Sequence, residues 1–75
     1  MSLSEIKADK EAVVSEIKGD QRFISRITAI GITPGCRLLV MRNDKNRPML
    51  VHSRDTMIAL NRKECSGIEV EEVVA

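Results

Sequence analysis

The sequence has little of what most catalytic and metal sites are made from. Its 75 residues include one Phe, no Trp or Tyr, two Cys and one His. A single histidine supports neither a Ser-His-Asp nor a Cys-His arrangement, and Cys36, His52 and Cys65 have no spacing typical of a metal site. The four glycines are dispersed, so no glycine-rich loop is available to hold a phosphate. We therefore predict no enzyme, no catalytic residue, no resident metal and no cofactor.

Long apolar runs are also missing. The longest run is four residues, far below the roughly 20 that a membrane-spanning helix needs. The first residues lack the basic start and apolar core of a secretory signal, so we expect a cytoplasmic location. In that compartment Cys36 and Cys65 are expected to be reduced, packed thiols.

What is present fits one small domain covering residues 1–75. Apolar residues make up 43% of the chain and charged residues 31%, which is ordinary for a globular protein. A chain this short buries only about 60% of the surface that its unfolded form exposes. A deep catalytic cleft is therefore not expected.

The most informative stretch predicts a helix that begins after Asp20. Phe23, Ile24, Ile27 and Ile30 recur at helical spacing and fall on one stripe. Asp20 is suited to cap the first turn of such a helix. We expect the stripe to cover one side of the core.

The end of that helix is specified by the residues that follow it. Gly31 suits the left-handed position just past a helix, and Ile32 can then fold back onto Ile27. Pro34 and Gly35 suit the two central positions of a type II turn. Together they predict a helix, a stop and a turn into a strand.

Five short segments have the alternation or the β-branched content of strands. A single helical turn is expected at Asn61–Cys65, before the last of them. Five strands with one short α-helix after the first predict a mainly β fold, a small bent barrel or sandwich, although pattern alone leaves a two-layer α+β sheet open. The segments are Glu11–Ile17, Cys36–Arg42, Met49–Ser53, Thr56–Leu60 and Ile68–Glu71.

Charge is unevenly distributed along the chain. From Arg22 to Lys63 there are nine basic and two acidic residues, a net charge of +7, whereas both flanks are acidic. If the flanking strands are neighbours, the domain has an acidic side and a basic side. Balanced, solvated surface charge is the simpler interpretation.

The order of these elements resembles the FeoA family, ferrous iron transport protein A. The resemblance spans Leu3 to Val73 and depends on three anchors. The first is the helix end and turn from Ile27 to Gly35, and the second is Pro48-Met49 with Val51. The third is Ile58-Ala59-Leu60, followed by Ile68-Glu69-Val70. Two departures are isoleucines at Ile27 and Ile30 in place of leucines, and Lys7–Glu11, which lacks the glycine usual before the first strand.

The resemblance implies a small SH3-like β-barrel and a non-enzymatic role in bacterial ferrous-iron uptake. It implies that the protein docks on the cytosolic GTPase region of the membrane iron transporter, and so lies at the inner face of the membrane through its partner. Weak self-association is a further expectation. The same barrel is similar to the C-terminal domain of iron-dependent repressors, but a chain without a DNA-reading helix fits the transport accessory better.

The candidate partner-binding residues are Arg37, Leu39, Met41 and Leu50. In the predicted strands they form a mixed face, on which Leu and Met supply apolar area and arginine sets orientation. The alternative is barrel wall covered by the helix or by the N-terminal segment. A basic barrel that binds nucleic acid is a rival function, but the stacking aromatics typical of single-strand binding are missing.

Overall fold

A computed structural model describes residues 1–74 of the chain. Its strands are β1 (Glu11–Ile17), β2 (Arg37–Arg42), β3 (Met49–Ser53), β4 (Thr56–Leu60) and β5 (Ile68–Glu72). The helices are α1 (Gln21–Ala29) and α2 (Arg62–Ser66), and a 3₁₀ turn at Leu3–Glu5 precedes all of them. The strands form one antiparallel sheet in the order β4-β3-β2-β1-β5. The predicted mainly β architecture, with α1 after the first strand, is confirmed.

The sheet is built from alternating sequences whose apolar positions face a single core. In β3, Met49 and Val51 are completely buried, whereas Leu50 and His52 point to the opposite face and are only partly buried. The same alternation in β2 buries Leu38. The remaining core residues come from all parts of the chain and include Leu3, Ile6, Val14, Ile27, Ile32, Leu60, Cys65, Ile68 and Val70.

Helix α1 begins after Asp20 and is stopped by the cap at Gly31, as the sequence predicts. The Asp20 side chain accepts a hydrogen bond from the Phe23 backbone at 2.8 Å. At the other end Gly31 has a φ of +100°, and the Ile32 N–H donates to the Ile27 carbonyl at 3.2 Å. This is the Schellman cap, and it completely buries Ile32.

The buried stripe of α1 is shorter than the four predicted residues. Ile27 is completely buried, and Phe23 and Ile24 pack partly buried against the core. Ile30 is 41% exposed, so its predicted place on the core-facing stripe is wrong. The physical reason is that α1 ends at Ala29, and Ile30, with a ψ of 3°, already belongs to the cap.

The turn after α1 has the predicted geometry and is anchored to β1. The Cys36 N–H donates to the Thr33 carbonyl at 3.0 Å, and Gly35 has a φ of +90°. These are the features of a type II turn. The Gly35 N–H also donates to the Val14 carbonyl at 2.7 Å, which fixes where β2 starts.

The turn before β1, where the family usually carries glycine, is made by an aspartate. Asp9 adopts a φ of +70°, a region that Asp and Asn tolerate better than most residues. Its N–H donates to the Val40 carbonyl at 2.7 Å, so the turn is tied to β2. The sequence departure therefore leaves the connection intact.

The N-terminal segment is held to the sheet by a polar cluster. Asn43 donates to the carbonyls of Ser4 at 3.2 Å and Ile6 at 2.6 Å, and its side-chain oxygen accepts from Arg62 at 2.7 Å. The loop after β2, the first residues and α2 are thereby joined. No helix within residues 1–74 has the length and apolar character needed to cross a membrane.

Candidate protein-docking face

The four predicted partner-binding residues lie on the same side of the sheet. Arg37, Leu39 and Met41 come from β2 and Leu50 from β3, all on the side away from the core. Leu39 lies opposite His52 in the strand register, and a β-bulge at Met41 places Arg42 opposite Leu50. Met41 points outward by the alternation of β2, and the bulge brings Arg42 opposite Leu50 as well.

This side of the sheet is accessible. Met41 is 38% exposed, Arg37 is exposed, and Leu39 and Leu50 are partly buried. Arg37 and Met41 are therefore not covered by α1 or by the N-terminal segment, whereas Leu39 and Leu50 are partly covered. This side of the sheet thus combines an exposed Met and an exposed Arg with two partly buried Leu side chains.

The same surface continues onto β4, which the sequence analysis did not include. Met57 lies opposite His52, and Ala59 lies opposite Leu50. Met57 is 54% exposed, compared with 38% for Met41. We name the whole surface the outer face, and it consists of Arg37, Leu39, Met41, Leu50, His52, Met57 and Ala59. Alternation within Thr56–Leu60 could have revealed the extension, because Ile58 and Leu60 take the buried positions.

Basic residues lie in the outer face and at its border. Arg37 contacts Glu11 at 3.4 Å, with both side chains largely exposed. Surface pairs of this kind contribute at most about 1 kcal/mol, so Arg37 is available to a partner at little cost. Arg54 lies at the tip of the β3–β4 hairpin and helps to line an open groove of about 460 Å³ with Cys36, Arg37 and His52.

The acidic flanks do become neighbours. β1 and β5 pair, which places Glu16 opposite Glu69. The N-terminal ammonium group lies 3.7 Å from the Glu69 carboxylate and offsets part of this charge. The acidic strands therefore adjoin the outer face on its β1 side.

The possible metal ligands are dispersed. Both cysteines are free, with Cys36 partly buried and Cys65 buried. The Cys36 thiol lies 3.2 Å from the Ser53 hydroxyl, and burial raises the pKa of Cys65 to about 11. Across residues 1–74 no group of three or more His, Cys, Asp or Glu side chains is placed to hold a metal ion.

A second groove, of about 400 Å³, lies between α1 and α2. The ring of Phe23 lies against two glycines, since a Cβ on Gly67 would meet the ring at 3.1 Å and one on Gly19 would meet it at 2.7 Å. Arg26 contacts the Phe23 ring at 5.8 Å from its centroid and Glu64 at 2.6 Å. The single aromatic side chain is thus used in packing and does not offer a free stacking surface.

Comparison with known proteins identifies the family. Residues 1–72 match the FeoA domain family. The chain belongs to the FeoA family. This membership makes it a small protein associated with ferrous-iron transport. No curated protein matches the sequence.

Solved FeoA structures have the same fold. An iron uptake regulatory protein (FeoA) has 19% identity and a TM-score of 0.92, with 97% of each chain covered. The FeoA of Stenotrophomonas maltophilia, described as a procaryotic SH3 domain protein and solved with zinc, has 24% identity and a TM-score of 0.82, covering 95% of this chain and 89% of that one. The expected SH3-like barrel is confirmed.

The repressor likeness expected from the sequence is also present. A manganese-dependent transcriptional repressor has 19% identity and a TM-score of 0.88, covering 97% of this chain but 41% of the repressor. At this identity the likeness concerns the fold alone. The match over nearly the whole length of a FeoA chain is the more complete one.

Proposed function

We propose that this FeoA-family protein is a non-enzymatic accessory of ferrous-iron uptake that docks on the cytosolic GTPase region of the membrane iron transporter. The observation that supports the proposal is the outer face, an accessible surface of Leu and Met bordered by arginine. In this proposal the protein is cytoplasmic and lies at the inner side of the membrane through its partner.

The chemistry of the outer face suggests the chemistry of its partner. Met41 and Met57 are flexible apolar side chains, which adapt to irregular partner surfaces. Arg37 and Arg54 border them and would favour a partner with acidic groups around an apolar patch. We expect an interface below about 1,200 Å², typical of transient complexes.

Docking would influence transport by shifting a conformational equilibrium. A partner can shift such an equilibrium only when it binds one state more tightly than the other. We therefore expect affinity for the GTPase region to differ between nucleotide-bound and nucleotide-free states. A tenfold difference corresponds to about 1.4 kcal/mol of preference for one state.

The test is a calorimetric titration of the protein against the cytosolic GTPase region, with and without guanine nucleotide. Met41→Asp places a charge on the outer face and is expected to weaken binding at least tenfold. Ile30→Asp is the matched control, because Ile30 is 41% exposed against 38% for Met41 but lies at the end of α1. Equal binding by both variants would remove the outer face from the proposal, and no binding of the unmodified protein in any nucleotide state would remove the partner.

Nucleic-acid binding is the rival that the basic central segment suggests. Single-strand binding usually relies on aromatic side chains on which bases stack. The ring of Phe23 is packed against Gly19 and Gly67, so it does not support this rival. An electrophoretic shift that weakens steeply between 50 and 200 mM salt would favour this rival. No shift at low salt would exclude it.

A further inference from the structure

The two edges of the sheet differ in how they are covered. At the β5 edge, the Val70 N–H donates to the Met1 carbonyl at 2.8 Å, and Ser2 forms a bridge with Glu69. The first residues of the chain therefore protect that edge. Protected edges are the rule, because an open strand offers unpaired N–H and C=O groups to another chain.

The β4 edge lacks such protection. Among residues 1–74, the only backbone ladder that includes Thr56–Leu60 is the one with β3. The strand reads Thr-Met-Ile-Ala-Leu, with no charged residue and no proline, and its register with β3 runs without a bulge. None of the usual devices that prevent edge pairing is present in it.

The hairpin geometry determines which backbone groups of β4 face outward. β3 and β4 are joined by the two-residue loop Arg54-Asp55, and Ser53 pairs with Thr56. In such a hairpin the residues next to the loop form a hydrogen-bonded pair, and bonded and non-bonded pairs then alternate. The N–H and C=O groups of Met57 and Ala59 therefore point away from β3.

We propose that β4 pairs antiparallel with β4 of a second copy of this chain, about a two-fold axis at Ile58. This register places the N–H and C=O groups of Met57 opposite those of the partner's Ala59, which gives two hydrogen bonds. The two-fold axis repeats this pair, so four backbone hydrogen bonds join the two copies. Ile58, partly buried against the core, meets its equivalent and continues the apolar interior across the axis. The two sheets become one sheet of ten strands.

A second copy is the occupant because the edge is complementary to itself. The outward groups are symmetric about Ile58, and the strand carries no charge that would repel its own copy. Five residues a side give a small interface, so we expect a dissociation constant on the order of 0.1–1 mM. Dimerisation goes beyond the proposed docking and does not depend on it.

Amide hydrogen exchange by NMR tests the pairing at single residues. In the dilute monomer the amides of Met57 and Ala59 face solvent and exchange fast, whereas those of Ile58 and Leu60 bond to β3 and are already protected. As concentration rises from micromolar to millimolar, the exchange of Met57 and Ala59 is expected to slow severalfold while that of Ile58 and Leu60 stays the same. Unchanged exchange at Met57 and Ala59, together with a monomer in sedimentation equilibrium at millimolar concentration, would overturn the proposal.

Two double variants test the register. M57K/A59K places like charges opposite each other at both symmetric positions and is expected to abolish the dimer. M57E/A59K places opposite charges there and is expected to dimerise at least as well as the unmodified protein. Both substituted side chains are exposed, so circular dichroism should show folded proteins. If both variants sedimented as dimers, or if both sedimented as monomers, this register would be contradicted.

Discussion

Replacing Gly31 tests the helix stop on which the fold prediction depends. Gly31 has a φ of +100°, and a Cβ added there would meet nothing within 4 Å. Gly31→Ala therefore causes no clash, and its whole cost is backbone strain. A left-handed conformation costs an L-residue about 1–2 kcal/mol, and the loss of chain entropy in the unfolded state returns about 0.4–1 kcal/mol. We expect a net loss of about 1 kcal/mol.

Urea unfolding followed by circular dichroism measures this loss. In thermal unfolding, a loss of 1 kcal/mol lowers the melting temperature of a domain of this size by about 4–8 °C. Gly31→Asn is the matched control, because Asn accepts positive φ more readily than Ala, and it should lose less stability. If Gly31→Ala were as stable as the unmodified protein, or Gly31→Asn less stable than Gly31→Ala, backbone strain would not be what Gly31 relieves.

Three other perturbations have expected outcomes. Burial raises the pKa of Cys65 from 9.0 to about 11. The thiol of the unfolded chain therefore ionises at lower pH than that of the folded protein, and the free energy of unfolding falls as pH rises from 9 to 11. Urea unfolding across this range should show a smaller fall in that free energy for Cys65→Ala than for the unmodified protein. Asn43→Ala removes the donor to the Ile6 carbonyl and the shortest acceptor of Arg62, which keeps only the Ser4 and Asp44 carbonyls at 3.4 and 3.3 Å, and should cost about 1–3 kcal/mol by the same assay. Arg54 has a φ of 57°, which glycine adopts without strain, so Arg54→Gly should raise the melting temperature by a few degrees. An unchanged or lower melting temperature would show that the hairpin tip is not strained.

The elements that the sequence predicted well are those determined by near neighbours in the chain. The helix cap is formed within Ile27–Ile32, and the type II turn within Thr33–Cys36. Strand β3 was predicted with its observed bounds because its alternation is regular and a charged, turn-forming loop precedes it. Such signals act over a few residues and need no knowledge of the tertiary structure.

What the sequence could not predict depends on contacts between distant segments. Alternation in β4 can indicate which way Met57 points, but its place beside His52 depends on the observed strand register. The Asn43 cluster brings together residues up to 58 positions apart in the chain. The exposure of Ile30 follows from where α1 ends, one residue earlier than an uninterrupted helical stripe requires. None of these contacts leaves a periodic pattern in the sequence.

The outer face and the β4 edge share Met57, so docking and self-pairing are linked. In the proposed dimer both outer faces lie on the same side of one continuous sheet, which presents two docking surfaces together. A partner with two equivalent sites would bind such a dimer more tightly than a monomer. Because coupling between binding events is reciprocal, that partner would strengthen dimerisation by the same factor. Met41→Asp, which lies outside β4, should then leave the dimerisation of the free protein unchanged and abolish only its strengthening by the partner.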